Sequence, residues 1–135
     1  MCYNNEYNIA IESCVNGVVS TVFAKGKMEK MPCGIRYDYV LDGDACSLTV
    51  NENEAVQSRR GGQNIRMTFR KGLTTECNLS SGGFSGVFTV FTEELKFAQA
   101  PVAVLFISYM LGDQKIELKF SAENINQGQR QGSWC

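Results

Sequence analysis

Between Gln114 and Asn124 the chain alternates without a break: Ile116, Leu118, Phe120 and Ala122 fall on one side, Lys115, Glu117, Lys119, Ser121 and Glu123 on the other. A two-residue period marks a strand with one buried face, because successive side chains of extended backbone point to opposite sides. The preceding run, Val102 to Leu111, is joined to it by Gly112-Asp113, a dipeptide suited to a two-residue hairpin turn because glycine accepts positive φ. Pairing Leu111 with Gln114 sets Tyr109 opposite Ile116, Ile107 opposite Leu118, Leu105 opposite Phe120 and Ala103 opposite Ala122. One face of this hairpin is then apolar throughout, and a slip of one residue would destroy that agreement.

The same grammar recurs along the chain. Asn16-Gly17 links Asn8–Val15 to Val18–Met28 and sets Ile11 opposite Val22. Gly61-Gly62 links Ala55–Arg60 to Gln63–Arg70, and a two-residue turn pairs Val56 with Met67 and Ser58 with Ile65. A three-residue loop would pair Val56 with Thr68, on the face of Arg66, so the shorter turn is preferred. Further strands fit Gly34–Val40, Ala45–Val50, Thr74–Leu79 and Phe84–Phe91, with turns at Asp42-Gly43-Asp44, Asn51–Glu54, Lys71-Gly72 and Ser80–Gly83. No stretch keeps a helical period, so parallel crossovers are excluded. The expected fold is all-β: an antiparallel up-and-down β-barrel of about eight to ten strands, closed because closure removes exposed edges. An open sandwich is the alternative. The chain reads as a single domain over 1–135, with the Gln- and Gly-rich end 124–135 as a mobile tail.

Composition narrows the function classes. With 44% hydrophobic and 20% charged residues, the 135-residue chain has the make-up of one folded soluble domain. Thirteen basic residues against 14 acidic ones give a net charge of −1, so no global field draws it to nucleic acid or an anionic membrane. The longest apolar run, Val102 to Leu111, is far short of the roughly 20 residues of a bilayer span. Met1 to Glu6 has neither a basic n-region nor an apolar h-region, and a cytoplasmic location is expected. Cys2, Cys14, Cys33, Cys46, Cys77 and Cys135 form no Cys-x-x-Cys pair and the chain lacks histidine, so reduced thiols, no metal and no cofactor are expected.

Several segments carry a family likeness in their order and spacing. They are Ile35-Arg36-Tyr37-Asp38-Tyr39, Glu54 to Gly61 ending in Arg-Arg-Gly, Met67 to Gly72, Phe91-Thr92-Glu93-Glu94-Leu95, and Ser108-Tyr109-Met110-Leu111. On these the chain resembles the YwiB-like family over most of residues 8 to 124, small bacterial proteins of unknown function. It departs from the family at Phe84-Ser85-Gly86, where an aromatic directly followed by glycine is usual. The resemblance implies a calycin-like, lipocalin-related barrel and no activity, because fold does not transfer function.

Chemistry-bearing signals are sparse. From Ala55 to Gly72 stand Arg59, Arg60, Arg66, Arg70 and Lys71 with no acidic residue. In the two-residue register Arg59 and Arg66 are diagonal neighbours whose guanidinium forks could grip a phosphate or carboxylate; a solvated, ion-paired hairpin face is the plainer reading. Tyr39 and Tyr109 complete the candidate ligand contacts. The basic run lacks the interleaved aromatics that stack bases. Asp42-Gly43-Asp44 with Asn51 to Glu54 suits turns, since calcium-loop spacing fails at Cys46. Asn78-Leu79-Ser80 is a glycosylation sequon only in a secreted chain. Without histidine, and with Glu12, Asp38 and Glu117 scattered, no catalytic constellation is recognisable and a non-enzyme is expected.

Phe84–Phe91 and Val102–Leu111 are apolar on both faces, so the outer face near Phe106 needs cover from Tyr3, Tyr7 and Trp134 or from a second subunit. The leading functional expectation is binding of a small apolar or amphipathic ligand inside the barrel. Against it, Met67, Phe69, Leu105, Ile107 and Phe120 are large enough to fill the interior. The alternatives are a structural or interaction module forming a homodimer, and an enzyme or binder of an anionic ligand at Arg59 and Arg66.

Overall fold

Turn chemistry sets most of the architecture. In a computed structural model that describes residues 6–99 and 102–125, Asn16 and Gly17 have φ of 53° and 78°, Asp42 and Gly43 50° and 82°, and Gly82 and Gly83 55° and 87°. Two consecutive positive φ values define the hairpin turn whose twist matches that of its strands. The strands are β1 (Glu6–Val15), β2 (Val18–Met31), β3 (Gly34–Leu41), β4 (Asp44–Val50), β5 (Glu54–Arg60), β6 (Asn64–Arg70), β7 (Thr74–Ser81), β8 (Phe84–Ala98), β9 (Ala103–Leu111) and β10 (Gln114–Asn124). Each pairs antiparallel with its neighbour in sequence, and β1 pairs with β10 to close a ten-stranded barrel. The β9–β10 register is the expected one, with Tyr109 opposite Ile116 and Leu105 opposite Phe120, as is Ile11 opposite Val22 in β1–β2.

One register differs. β5 and β6 pair Val56 with Thr68, Ser58 with Arg66 and Arg59 with Ile65, the longer loop rather than the two-residue turn. The cause lies outside the hairpin. The Asp44 carboxylate of β4 accepts a hydrogen bond from Gly62 N at 2.9 Å and from Arg59 Nε at 2.7 Å. A Cβ at Gly61, where φ is 150°, would collide with that carboxylate. The loop is therefore wrapped around Asp44, and the extra residue shifts β6 by one position.

The second difference is β8, which runs past Phe91 to Ala98 through a β-bulge between Thr92 and Glu94. Before the bulge the inward residues are Val90 and Thr92; after it they are Leu95 and Phe97. The bulge absorbs a break in alternation that otherwise reads as the end of a strand.

Inside, among the described residues, large side chains pack into one buried cluster. Ile9, Tyr37, Val50, Phe69, Val90, Leu105, Ile107 and Phe120 are at most 2% exposed. Ring contacts run from Tyr7 through Tyr37 (6.0 Å) to Phe120 (5.2 Å) and Tyr39 (6.0 Å from Phe120), while Phe69 packs on Tyr109 at 4.8 Å. Tyr7 thus faces the interior rather than covering Phe106; Tyr3 and Trp134 lie outside the described residues, as does the expected tail beyond 125. Phe106 is half-buried on the outer face between Lys96 and Lys119, whose aliphatic stems suit that role. Among the described residues Cys14, Cys33, Cys46 and Cys77 are free thiols, and no helix is long and apolar enough to cross a membrane.

Thr92 is fully buried and its hydroxyl has no hydrogen-bond partner. An unpartnered buried hydroxyl is a cost that valine of the same shape lacks. Thr92→Val is therefore expected to leave stability unchanged or raise it by about 1 kcal/mol, whereas Phe120→Ala is expected to lower it by about 3–5 kcal/mol. Urea denaturation of the two variants beside the parent checks both.

Candidate functional site

The corrected register decides where the basic run points. Residues directly opposite one another share a face, so Arg59 goes with Ile65 toward the interior while Arg66 goes with Ser58 to the outside. The side chains of Arg59 and Arg66 thus leave opposite faces of the sheet, and Arg59 is engaged by Asp44, although both residues border the same groove. The longer loop instead makes Arg60 the diagonal neighbour of Arg66 on the outer face.

The outer face of β5–β8 is concave near its turns. Row by row, Ser58, Arg66, Asn78 and Val87 stand side by side across four strands, and Asn64, Ser80 and Ser85 form the adjacent row. With Arg60, and with Arg59, Ile65, Leu79 and Gly86 between the rows, they line a groove of about 790 Å³. Nearby, the Ser47 and Ser58 hydroxyls are hydrogen-bonded at 2.9 Å, which fixes one wall. Charge pairing sets these arginines apart. Arg36 is held by Asp38 at 2.9 Å, Arg59 by Asp44 at 2.7 Å and Arg70 by Glu54 at 2.8 Å. Among the described residues neither Arg60 nor Arg66 has a carboxylate within ion-pair distance. Two unpaired guanidinium groups ringed by hydroxyls and amides can accept an anion without first giving up a partner.

The inner candidates are structural in their surroundings. Tyr39 and Tyr109 are each 4% exposed. Burial raises both phenols to about 12; a Cys46 contribution adds to this at Tyr39 and a Cys77 contribution at Tyr109, while the Gln57 hydrogen bond and Arg59 work against it at Tyr39. Burial likewise raises the Cys46 and Cys77 thiols, so neither is an activated nucleophile. The sequence reading missed Arg60, because in the shorter register it has no outward neighbour of like chemistry; the unbroken basic run from Arg59 to Lys71 was the available signal.

No protein-family model matches the chain, and no curated protein matches it. Among solved structures, the crystal structure of ywiB protein from Bacillus subtilis superposes with a TM-score of 0.82, covering 89% of this chain and 92% of that one at 13% identity. The two share one fold. The YwiB-like barrel expected from the segment order is thus the architecture found, and at this identity the likeness speaks to fold alone.

The Asp44 niche yields a pH signature. The Gly62 N–H first, and the Arg59 guanidinium second, hold the Asp44 carboxyl below the usual carboxylate range. A carboxyl depressed in the folded state contributes stability that is present above the unfolded value of about 3.9 and is lost as pH falls through the folded value. Asp44→Asn is therefore expected to melt below the parent at pH 7, with the gap narrowing below about pH 4. Melting temperatures from pH 7 down to pH 3 measure that gap; a constant gap would contradict the assignment.

Proposed function

We propose that this barrel is a non-enzymatic binding protein for a small anionic ligand carrying a phosphate or carboxylate, held on its outer face by Arg60 and Arg66. The supporting observation is that these two unpaired arginines are diagonal neighbours in one groove among serine and asparagine side chains. Guanidinium forks and neutral donors bind an oxyanion directly, and charge-assisted bonds of this kind are roughly twice as strong as neutral ones. The groove offers donors and no general base: its lining contains neither a carboxylate nor a cysteine. Glu76, two positions along β7 from Asn78, points the same way but lies outside the lining.

An apolar ligand in the interior, the first expectation from sequence, would have to displace Tyr37, Phe69 or Phe120 from a close-packed core. The outer groove needs no such rearrangement. The reading retains the expected binding role and moves it from the lumen to the surface.

Isothermal titration with inorganic phosphate and with citrate tests it. At least one of the two is expected to bind the parent, and Arg60→Ala or Arg66→Ala to weaken that binding about tenfold or more. Arg70→Ala, which removes a guanidinium already paired with Glu54, is the matched control and should change binding little. Absence of binding by both anions, or equal binding by the Arg66 variant, removes the proposal.

A further inference from the structure

A closed barrel should have no free strand edge, yet among the described residues β2 has one. It pairs with β3 only from Gly26 to Met31, while its other half, Val18 to Lys25, pairs with β1 alone. Gly26 is the point of departure. A Cβ there would collide with the Asp38 carbonyl oxygen and with Ile9, so glycine permits the close crossing at which β2 leaves β3. A cleft of about 340 Å³ opens at the fork, between Lys25-Gly26 and Val40 and Ala45 of the β3–β4 hairpin.

From Val18 to Ala24 this half of β2 reads Val-Val-Ser-Thr-Val-Phe-Ala, without charge or proline, and its one charge, Lys25, stands at the fork beside Gly26. Val18, Val19, Val22 and Phe23 are 69%, 55%, 45% and 76% exposed. Long, uncharged apolar edges are what soluble sheets avoid. The comparison with β8 is internal to the molecule. Beyond the bulge β8 also pairs on one side only, but its sequence there is Glu-Glu-Leu-Lys, with Glu94 3.5 Å from Lys71 and Glu93 3.5 Å from Lys115. One free edge is guarded by charge and the other is left ready to pair.

We infer that the free edge of β2 is a homodimer interface, in which two copies pair β2 with β2 antiparallel about a two-fold axis at Thr21. The Asn16-Gly17 turn fixes Val15 and Val18 as the closing hydrogen-bonded pair, so backbone groups alternate from there. Val19, Thr21, Phe23 and Lys25 therefore turn their N–H and C=O away from β1, toward the open side. With Thr21 on the axis, Val19 of one copy faces Phe23 of the other, and Lys25 faces Gly17. This register joins aromatic to β-branched and threonine to threonine side chains, the favourable cross-strand pairs, and opposes no like charges. A self-complementary edge of this kind suits a two-fold dimer. The contact belongs with small, reversible interfaces, below about 1,200 Å² in total.

Sedimentation velocity across a concentration series tests it. The parent is expected to move from monomer mass at about one micromolar to twice that mass at hundreds of micromolar, as for interfaces of this size. Thr21→Pro removes an N–H that points away from β1, a position where an edge strand tolerates proline, and Phe23→Lys places a charge on the edge. Both variants are expected to stay monomeric throughout with far-ultraviolet circular dichroism like the parent's; should Thr21→Pro fail to fold, Phe23→Lys decides. A parent that remains monomeric at about one millimolar, or folded variants that dimerise as the parent does, overturns the inference.

Discussion

The Asp44 carboxylate governs more of this molecule than its size suggests. It sits at the start of β4, takes the Gly62 amide on one oxygen and the Arg59 guanidinium on the other, and so determines how many residues the β5–β6 loop must spend in going round it. Loop length sets register, and register sets which face each side chain of β6 occupies. Ile65, Met67 and Phe69 go inward and Arg66 goes outward in this register, which the Asp44 contact and the burial of the apolar face favour together. Shortening the loop by one residue would drive Arg66 into the core and expose Phe69. The burial of Phe69 against Tyr109 and the exposure of Arg66 in the groove are two consequences of the same register.

That dependence explains what could be read from sequence. Hairpins whose turn carries its own instruction were legible: Asn16-Gly17, Asp42-Gly43 and Gly112-Asp113 state their φ requirements locally, and alternation in β10 fixes the register with β9. Gly61-Gly62 looked like one of these and is not, because its ruler is a carboxylate on a different hairpin. The bulge in β8 was hidden for a related reason. Glu93 and Glu94 break the alternation, and only the partners Tyr109 and Ser108 reveal that the strand continues. At the site, the basic run was visible and its outward pair was not, since choosing Arg60 over Arg59 needs a register that only three-dimensional contact supplies.

The interior is electrically quiet. Burial raises the phenols of Tyr37, Tyr39 and Tyr109 to about 12, and those of Tyr37 and Tyr109 face further unfavourable neighbours in Tyr7 and Cys77. These groups stay neutral across ordinary pH, and the charged pair that does exist, Asp44 with Arg59, lies by the turns and satisfies itself. Close packing of these neutral groups stabilises the fold. The unpaired guanidinium charge of the described residues lies at the surface instead, at Arg60 and Arg66.

The outer surface is divided accordingly. Unpaired positive charge gathers over β5 and β6, and uncharged apolar edge gathers on β2, with the Ser47 and Asp38 row of β3 and β4 between them. Closing a barrel from ten strands of unequal length makes such an edge unavoidable: β2 and β8 are the longest strands, and each outruns a neighbour. Charge disposes of the overhang on β8. On β2 the only charge of the overhang is Lys25, at the fork, and none occurs from Val18 to Ala24. An overhang that is apolar from the turn to its single lysine, where β8 carries two glutamates and a lysine, is the contrast on which the inferred β2–β2 pairing rests.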